Sequence, residues 1–207
     1  MNLSKKQILL IHGGEAYNSY YAYIESLKRA EFDLEKEKNK EKRWRYSLEK
    51  ELGKGFEIIA PTMPNKQNSK YNEWKVWFEK TFPYLRDNIV LIGHSLGGIF
   101  LAKYLSENDS PKKILATYLI AAPYDDKDAE ADYSLADFAL PSSLKRFERQ
   151  GGRIYLYHSQ DDSMVPFAEV EKYAKALPKA EKIIFKEKGH FMQEDFPELL
   201  KSIRQLY

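Results

Sequence analysis

The 207-residue chain contains no cysteine. Disulfides, thiolate nucleophiles and cysteine-ligated zinc are therefore excluded at the outset. An excess of charge of one sign is also lacking. Thirty-three lysines and arginines nearly balance 31 aspartates and glutamates, and a formal net charge of +2 makes no bulk electrostatic case for nucleic-acid binding. Long hydrophobic runs are missing too. The basic N-terminus leads into Gln7-Ile8-Leu9-Leu10-Ile11, but the apolar stretch stops at His12-Gly13-Gly14. That is too short for the core of a secretory signal, and no small-residue cleavage site follows. No stretch approaches the length of a membrane span. A buried first strand in a cytoplasmic protein is the resulting expectation. The strand ends without G-x-G-x-x-G or a Walker lysine, which argues against nucleotide binding.

A hydrophobic content of 43% with 31% charged residues suits a soluble globular chain, and the length suits one domain over residues 1–207. Six β-like runs stand out, at 7–11, 56–60, 89–93, 114–121, 154–158 and 182–185. Most are continuously apolar and not alternating, as in parallel strands buried on both faces. Helical stretches separate them. Asn68-Ser69 can cap a helix carrying Trp74, Trp77, Phe78 and Phe82 on one face. Further helices are expected over Leu96 to Leu105, after Pro166, and around Leu199, Leu200 and Ile203. This alternation predicts a three-layer α/β/α sandwich.

Two connections are long. Residues 15–54 hold no proline, and 31–45 are dominated by Glu, Lys and Arg. Two helical pieces are expected there, the second from about Glu35 to Leu52, making a charged helical extension around 31–52 whose 31–45 stretch is a solvated face. Residues 122–153 carry Pro123, Pro141 and Gly151-Gly152, and are expected to form a lid or binding wall with a short helix near 142–150. Within them, Asp126, Asp128, Glu130 and Asp132 have the look of a calcium loop. Ala131 stands where such a loop needs glycine, so a solvated loop and no metal site are expected.

The chemistry-bearing signal follows the third strand. Gly93-His94-Ser95-Leu96-Gly97 is a G-x-S-x-G pattern with an apolar strand entering and a helix leaving. A serine in that sharp turn presents its hydroxyl above the sheet, and the crowded backbone requires glycine two positions either side. Serine needs a base held by a third group. Asp161 and Asp162 follow the fifth strand and His190 follows the sixth, so all lie at the edge where C-terminal strand ends gather. His190 is the expected general base. Leu96 N–H and the Gly14 N–H of the first-strand loop are the expected oxyanion donors. His94, His158 and His12 are expected to pack or to shape loops. Tyr17, Tyr124, Phe167 and Phe191 are candidate walls of a substrate pocket.

His12-Gly13-Gly14, Gly93-His94-Ser95-Leu96-Gly97-Gly98, Asp162-x-x-Val165-Pro166 and Gly189-His190-Phe191 together resemble the α/β-hydrolases. More closely, the chain is similar to the small serine hydrolases of the retinoblastoma-binding-protein-nine and YdeN-like group. The resemblance spans nearly the whole chain, and the charged extension departs from it. It implies Asp162 as the third catalytic residue, since that group places an acid three positions before the Val-Pro pair. It also implies a parallel sheet of order 2-1-3-4-5-6 without a large cap domain. The implied activity is cofactor-free hydrolysis of small-molecule acyl substrates: carboxylic esters, with amides and thioesters served by the same machinery. The alternative is a catalytically weak protein-interaction module of the same fold, with the 31–52 segment as its partner-binding surface.

Overall fold

The computed structural model describes residues 5–38, 42–127 and 134–207. The apolar runs form strands β1 (Lys6–Ile11), β2 (Phe56–Ile59), β3 (Ile89–His94), β4 (Ile114–Ile120), β5 (Arg153–Ser159) and β6 (Glu181–Phe185). They pair in parallel throughout, in the order β2-β1-β3-β4-β5-β6. This is the doubly wound sheet expected of an α/β-hydrolase. Register sets Gly93 between Ile11 of β1 and Leu119 of β4, so the turn after β3 emerges beside the loop after β1.

Helices cover both faces: α1 (Tyr20–Arg29), α2 (Leu34–Lys38), α3 (Trp44–Leu52), α4 (Tyr71–Glu79), α5 (Leu96–Glu107), α6 (Lys145–Gln150), α7 (Ala168–Ala176) and α8 (Pro197–Arg204). The period-2 alternation of each strand divides the core. Leu9, Ile11 and Leu91 join Trp74 and Phe78 of α4, Phe100 of α5, Phe147 of α6 and Tyr173 of α7. Ile8, Leu10 and Ile92 join Trp44 and Leu48 of α3 with Leu199 and Ile203 of α8 on the other side. Trp74 meets Phe100 and Phe138 edge-on at 5.6 and 5.3 Å. Each such pair adds roughly 0.5–1.5 kcal/mol beyond area burial.

Three expectations need correction. The helix expected from Glu35 to Leu52 is two helices, α2 and α3, and residues 39–41 fall outside the described ones. Among the described residues of the charged stretch 31–45 only Trp44 is buried, and with Leu48 and Leu52, spaced i, i+4 and i+8, it forms the inward face of α3. Neither Asn68 nor Ser69 caps α4. Asp137 does so from afar, its carboxylate accepting from Tyr71 N–H at 3.0 Å, while Trp77 is exposed. None of the described residues of the long connection after β4 lines the cleft at Ser95; Leu135, Phe138, Leu144 and Phe147 tie it to the core, and α6 begins at Lys145. The acidic run at 128–132 lies outside the described residues. Among the described residues no helix is long and apolar enough to cross a membrane.

Candidate active site

Ser95 sits between β3 and α5 with φ 55° and ψ −125°, a conformation that L-residues reach only under constraint. The constraint is close packing. A methyl group on Gly93 would fall 2.5 Å from Gly97 O, and one on Gly97 would fall 2.6 Å from His12 O. Glycine at both positions therefore lets α5 press onto the β1 loop. Ser95 N–H donates to Ile120 O at 2.8 Å and Gly98 N–H to Ser95 O at 2.8 Å, which fixes the turn. Among the described residues the Ser95 hydroxyl makes no hydrogen bond, and it faces a cleft of about 360 Å³ that His190 also lines.

His190 follows β6 in a turn held from β5. Lys188 N–H donates to Ser159 Oγ at 2.9 Å, and Gly189 N–H donates to the Asp161 carboxylate at 2.8 Å. Asp161 thus clasps the loop, and its neighbour meets the ring. His190 Nδ1 stands 2.9 and 3.1 Å from the two Asp162 carboxylate oxygens. Asp162 also accepts from Met164 N–H at 2.9 Å and Val165 N–H at 3.0 Å. Burial works to raise its pKa, but the His190 hydrogen bond and charge, with the two amides, overcome that and hold it below the ordinary value. An ionised Asp162 takes the Nδ1 proton as its hydrogen bond and leaves Nε2 of His190 as a bare acceptor.

The other three histidines are structural, and their partners fix their protons. His12 Nε2 accepts from Met63 N–H at 2.8 Å, so Nδ1 carries the hydrogen and donates to Gly13 O at 2.6 Å. In a trans peptide the carbonyl and the following N–H point opposite ways. Drawing Gly13 O to the imidazole therefore turns Gly14 N–H the other way. Among the described residues neither Gly14 N–H nor Leu96 N–H makes a hydrogen bond. His94 donates Nε2–H to His190 O at 2.9 Å, and burial, reinforced by His190, pushes its pKa down to about 3. His158 is buried and donates to Val165 O at 3.0 Å, steadying the Asp162 loop.

Behind His190 the chain is strained again: Phe191 has φ 53°. Trp44 holds it there. The indole N–H donates to Phe191 O at 2.9 Å, Trp44 N–H donates to Gln193 O at 3.0 Å, and the ring meets His94 and Phe196 edge-on. Sequence reasoning missed Trp44, whose single signal was an indole inside a run of charges.

The four aromatics expected to wall the pocket do not do so. Tyr17 turns its hydroxyl to Glu15 and Ser26. Tyr124 packs on Tyr173, Phe167 on His158, and Phe191 is buried against Phe196. The cleft is instead walled by Arg43, Arg45, Lys66, Met164 and Met192, beside Gly13 and Gly14. Glu169 also escaped notice. It is buried, and it accepts from Tyr124 N–H and Asp125 N–H at 2.7 and 2.9 Å, anchoring the loop after β4 to α7.

The profile of the family described as "Serine hydrolase" matches residues 37–205. The chain is 25% identical over 152 residues to serine hydrolase RBBP9 of Rattus norvegicus, covering 73% of this chain and 78% of that protein. The ydeN gene product of B. subtilis superposes with a TM-score of 0.70 at 17% identity, over 98% of both chains. An esterase from Exiguobacterium antarcticum does so with a TM-score of 0.61 at 16% identity, over 98% of this chain and 91% of that one.

Proposed function

Because the chain belongs to the serine hydrolase family, we propose that it cleaves small carboxylic esters through an acyl-enzyme on Ser95. The single observation that carries this reading is the His190 Nδ1–Asp162 pair at 2.9 Å, on a ring sharing one cleft with the Ser95 hydroxyl. As substrate binds, the hydroxyl closes on His190 Nε2, a contact that often tightens only in the Michaelis complex. Ser95 Oγ attacks the acyl carbon while Nε2 takes its proton. The carbonyl oxygen becomes an oxyanion received by Gly14 N–H and Leu96 N–H, and each such donor is typically worth about 3 kcal/mol in the transition state. The imidazolium, stabilised by Asp162, returns the proton to the departing alkoxide. Water then attacks the acyl-enzyme with His190 again as base, releasing the acid and restoring Ser95. The same steps serve thioesters and amides.

A fluorophosphonate probe tests the assignment. Labelling should map to Ser95 and vanish in Ser95→Ala, with hydrolysis of 4-nitrophenyl acetate lost in parallel. Folded protein that resists labelling, or labelling that survives the substitution, refutes it.

A further inference from the structure

The cleft beside Ser95 is lined by three cationic side chains, Arg43, Arg45 and Lys66. Among the described residues none of them meets a carboxylate. Arg45 lies over the Tyr46 ring at 4.8 Å and donates to its hydroxyl at 3.2 Å. Glu15, an acidic residue of the same lining, already accepts from the Tyr17 hydroxyl at 2.7 Å.

Stability gives no reason for this arrangement. Arg43 occupies the N-cap of α3 and Arg45 its first turn, which holds no acid. Cations there oppose the helix dipole, whose positive end favours an anion. The two guanidinium groups also repel each other: burial, and then the charge of Arg45, lower the pKa of Arg43. Their position is imposed by Trp44 between them, which is bonded to the carbonyls of Phe191 and Gln193 directly after the catalytic loop. Lys66 comes from a separate turn after β2, where its own carbonyl accepts from Glu15 N–H at 2.8 Å next to the loop after β1. Positive charge thus converges from two elements on the space above Ser95. The field reaches the histidines as well. Burial chiefly lowers the pKa of His12 and of His94, and the charge of Arg45 lowers both further.

Resting on the hydrolase reading above, we propose that this wall selects esters that carry an anionic substituent, with Arg43, Arg45 and Lys66 holding it while Ser95 attacks the carbonyl. Against three cations the lining offers the single carboxylate of Glu15, and the substrate's anion supplies the remaining counter-charge. Guanidinium groups bind carboxylates in a directed, two-pronged way, and a half-enclosed cleft screens the pair less than open water does.

Matched probe pairs test this. For an anion on the acyl side, the 4-methylumbelliferyl monoester of glutarate is compared with the valerate. For an anion on the leaving group, 4-acetoxybenzoate is compared with its methyl ester. In one arm or both, kcat/KM should favour the anionic member by about tenfold or more, mainly through KM. The advantage should shrink as salt is raised. The double variant Arg43→Gln/Arg45→Gln should bring the ratio close to one, and that ratio is internally normalised against any general loss of activity. Circular dichroism and fluorophosphonate labelling verify that the variant is folded and competent. A wild-type ratio at or below one in both arms, or a ratio unmoved by the double variant, overturns the selection while leaving the hydrolase intact. A wild-type protein that neither turns over nor labels at Ser95 overturns the hydrolase reading, and the selection with it.

Discussion

Asp162→Asn is the sharpest perturbation available, because the structure dictates how asparagine must sit. Met164 N–H and Val165 N–H both point at Oδ1 of residue 162, at 2.9 and 3.0 Å. Two donors fix the amide carbonyl oxygen at that position and send the NH2 group to the Oδ2 position. That position lies 2.9 Å from His190 Nδ1. An amide donor there requires Nδ1 to be an acceptor, so the ring proton moves to Nε2, where it blocks uptake of the serine proton. An inverted tautomer of this kind costs roughly 10⁴-fold in kcat, about 5.5 kcal/mol of transition-state stabilisation. Asp161→Asn keeps a carbonyl acceptor for Ser159 Oγ–H and Gly189 N–H, the two donors its carboxylate receives. Its loss should stay within about tenfold, the scale of one weakened hydrogen bond. The assay is steady-state hydrolysis of 4-nitrophenyl acetate, with nitrogen-15 NMR of the histidine rings reporting the tautomer directly. If Asp162→Asn retains near wild-type turnover, or if Asp161→Asn falls as far, the reasoning is refuted.

Gly97→Ala should lower unfolding stability by about 1–3 kcal/mol or more, since the added methyl meets backbone carbonyls that cannot rotate away. Urea denaturation reads this, and an unchanged midpoint would mean that α5 is not pressed on the β1 loop. Acid should also destabilise the fold. His94 has a pKa of about 3 when folded against an ordinary 6.5, so between those values the unfolded chain binds the extra proton and stability falls as pH falls. From pH 7.5 to 5 that single residue should cost about 2 kcal/mol, measured by urea titrations at each pH. Equal or greater stability at the lower pH would show that the ring is not held neutral.

The sheet was readable in the sequence because strands buried on both faces must be apolar throughout. Ile8 to Ile11 and Ile89 to Ile92 therefore declared themselves, and their order followed from the hydrolase resemblance. The serine turn was readable for a steric reason: its two glycines mark places where backbone touches backbone. Asp161 and Asp162 were not separable by residue type. Geometry distinguishes them, one bonded to the backbone of the loop after β6 and the other to the His190 imidazole. The cleft wall was the part that stayed hidden. Aromatic residues after strand ends serve cores as readily as pockets, and Phe191 and Tyr124 went to the core. Arg43 and Arg45 were lost among lysines and glutamates of similar composition. Only the anchoring of Trp44 by residues about 150 positions away, a contact between Trp44 and Phe191 with a sequence separation of 147, singles them out.

The Trp44 anchor divides labour within the molecule. Gly14, Ser95, Asp162 and His190 follow β1, β3, β5 and β6, whose mutual placement the sheet pairing sets. Arg43 and Arg45 of the cleft wall instead flank Trp44 at the start of α3, a helix inserted between neighbouring strands β1 and β2 and latched by one indole. If the proposed selection holds, exchanging the side chains that flank the latch retunes what the protein accepts without touching Ser95, Asp162 or His190. Appetite and reactivity can therefore diverge independently from this one scaffold.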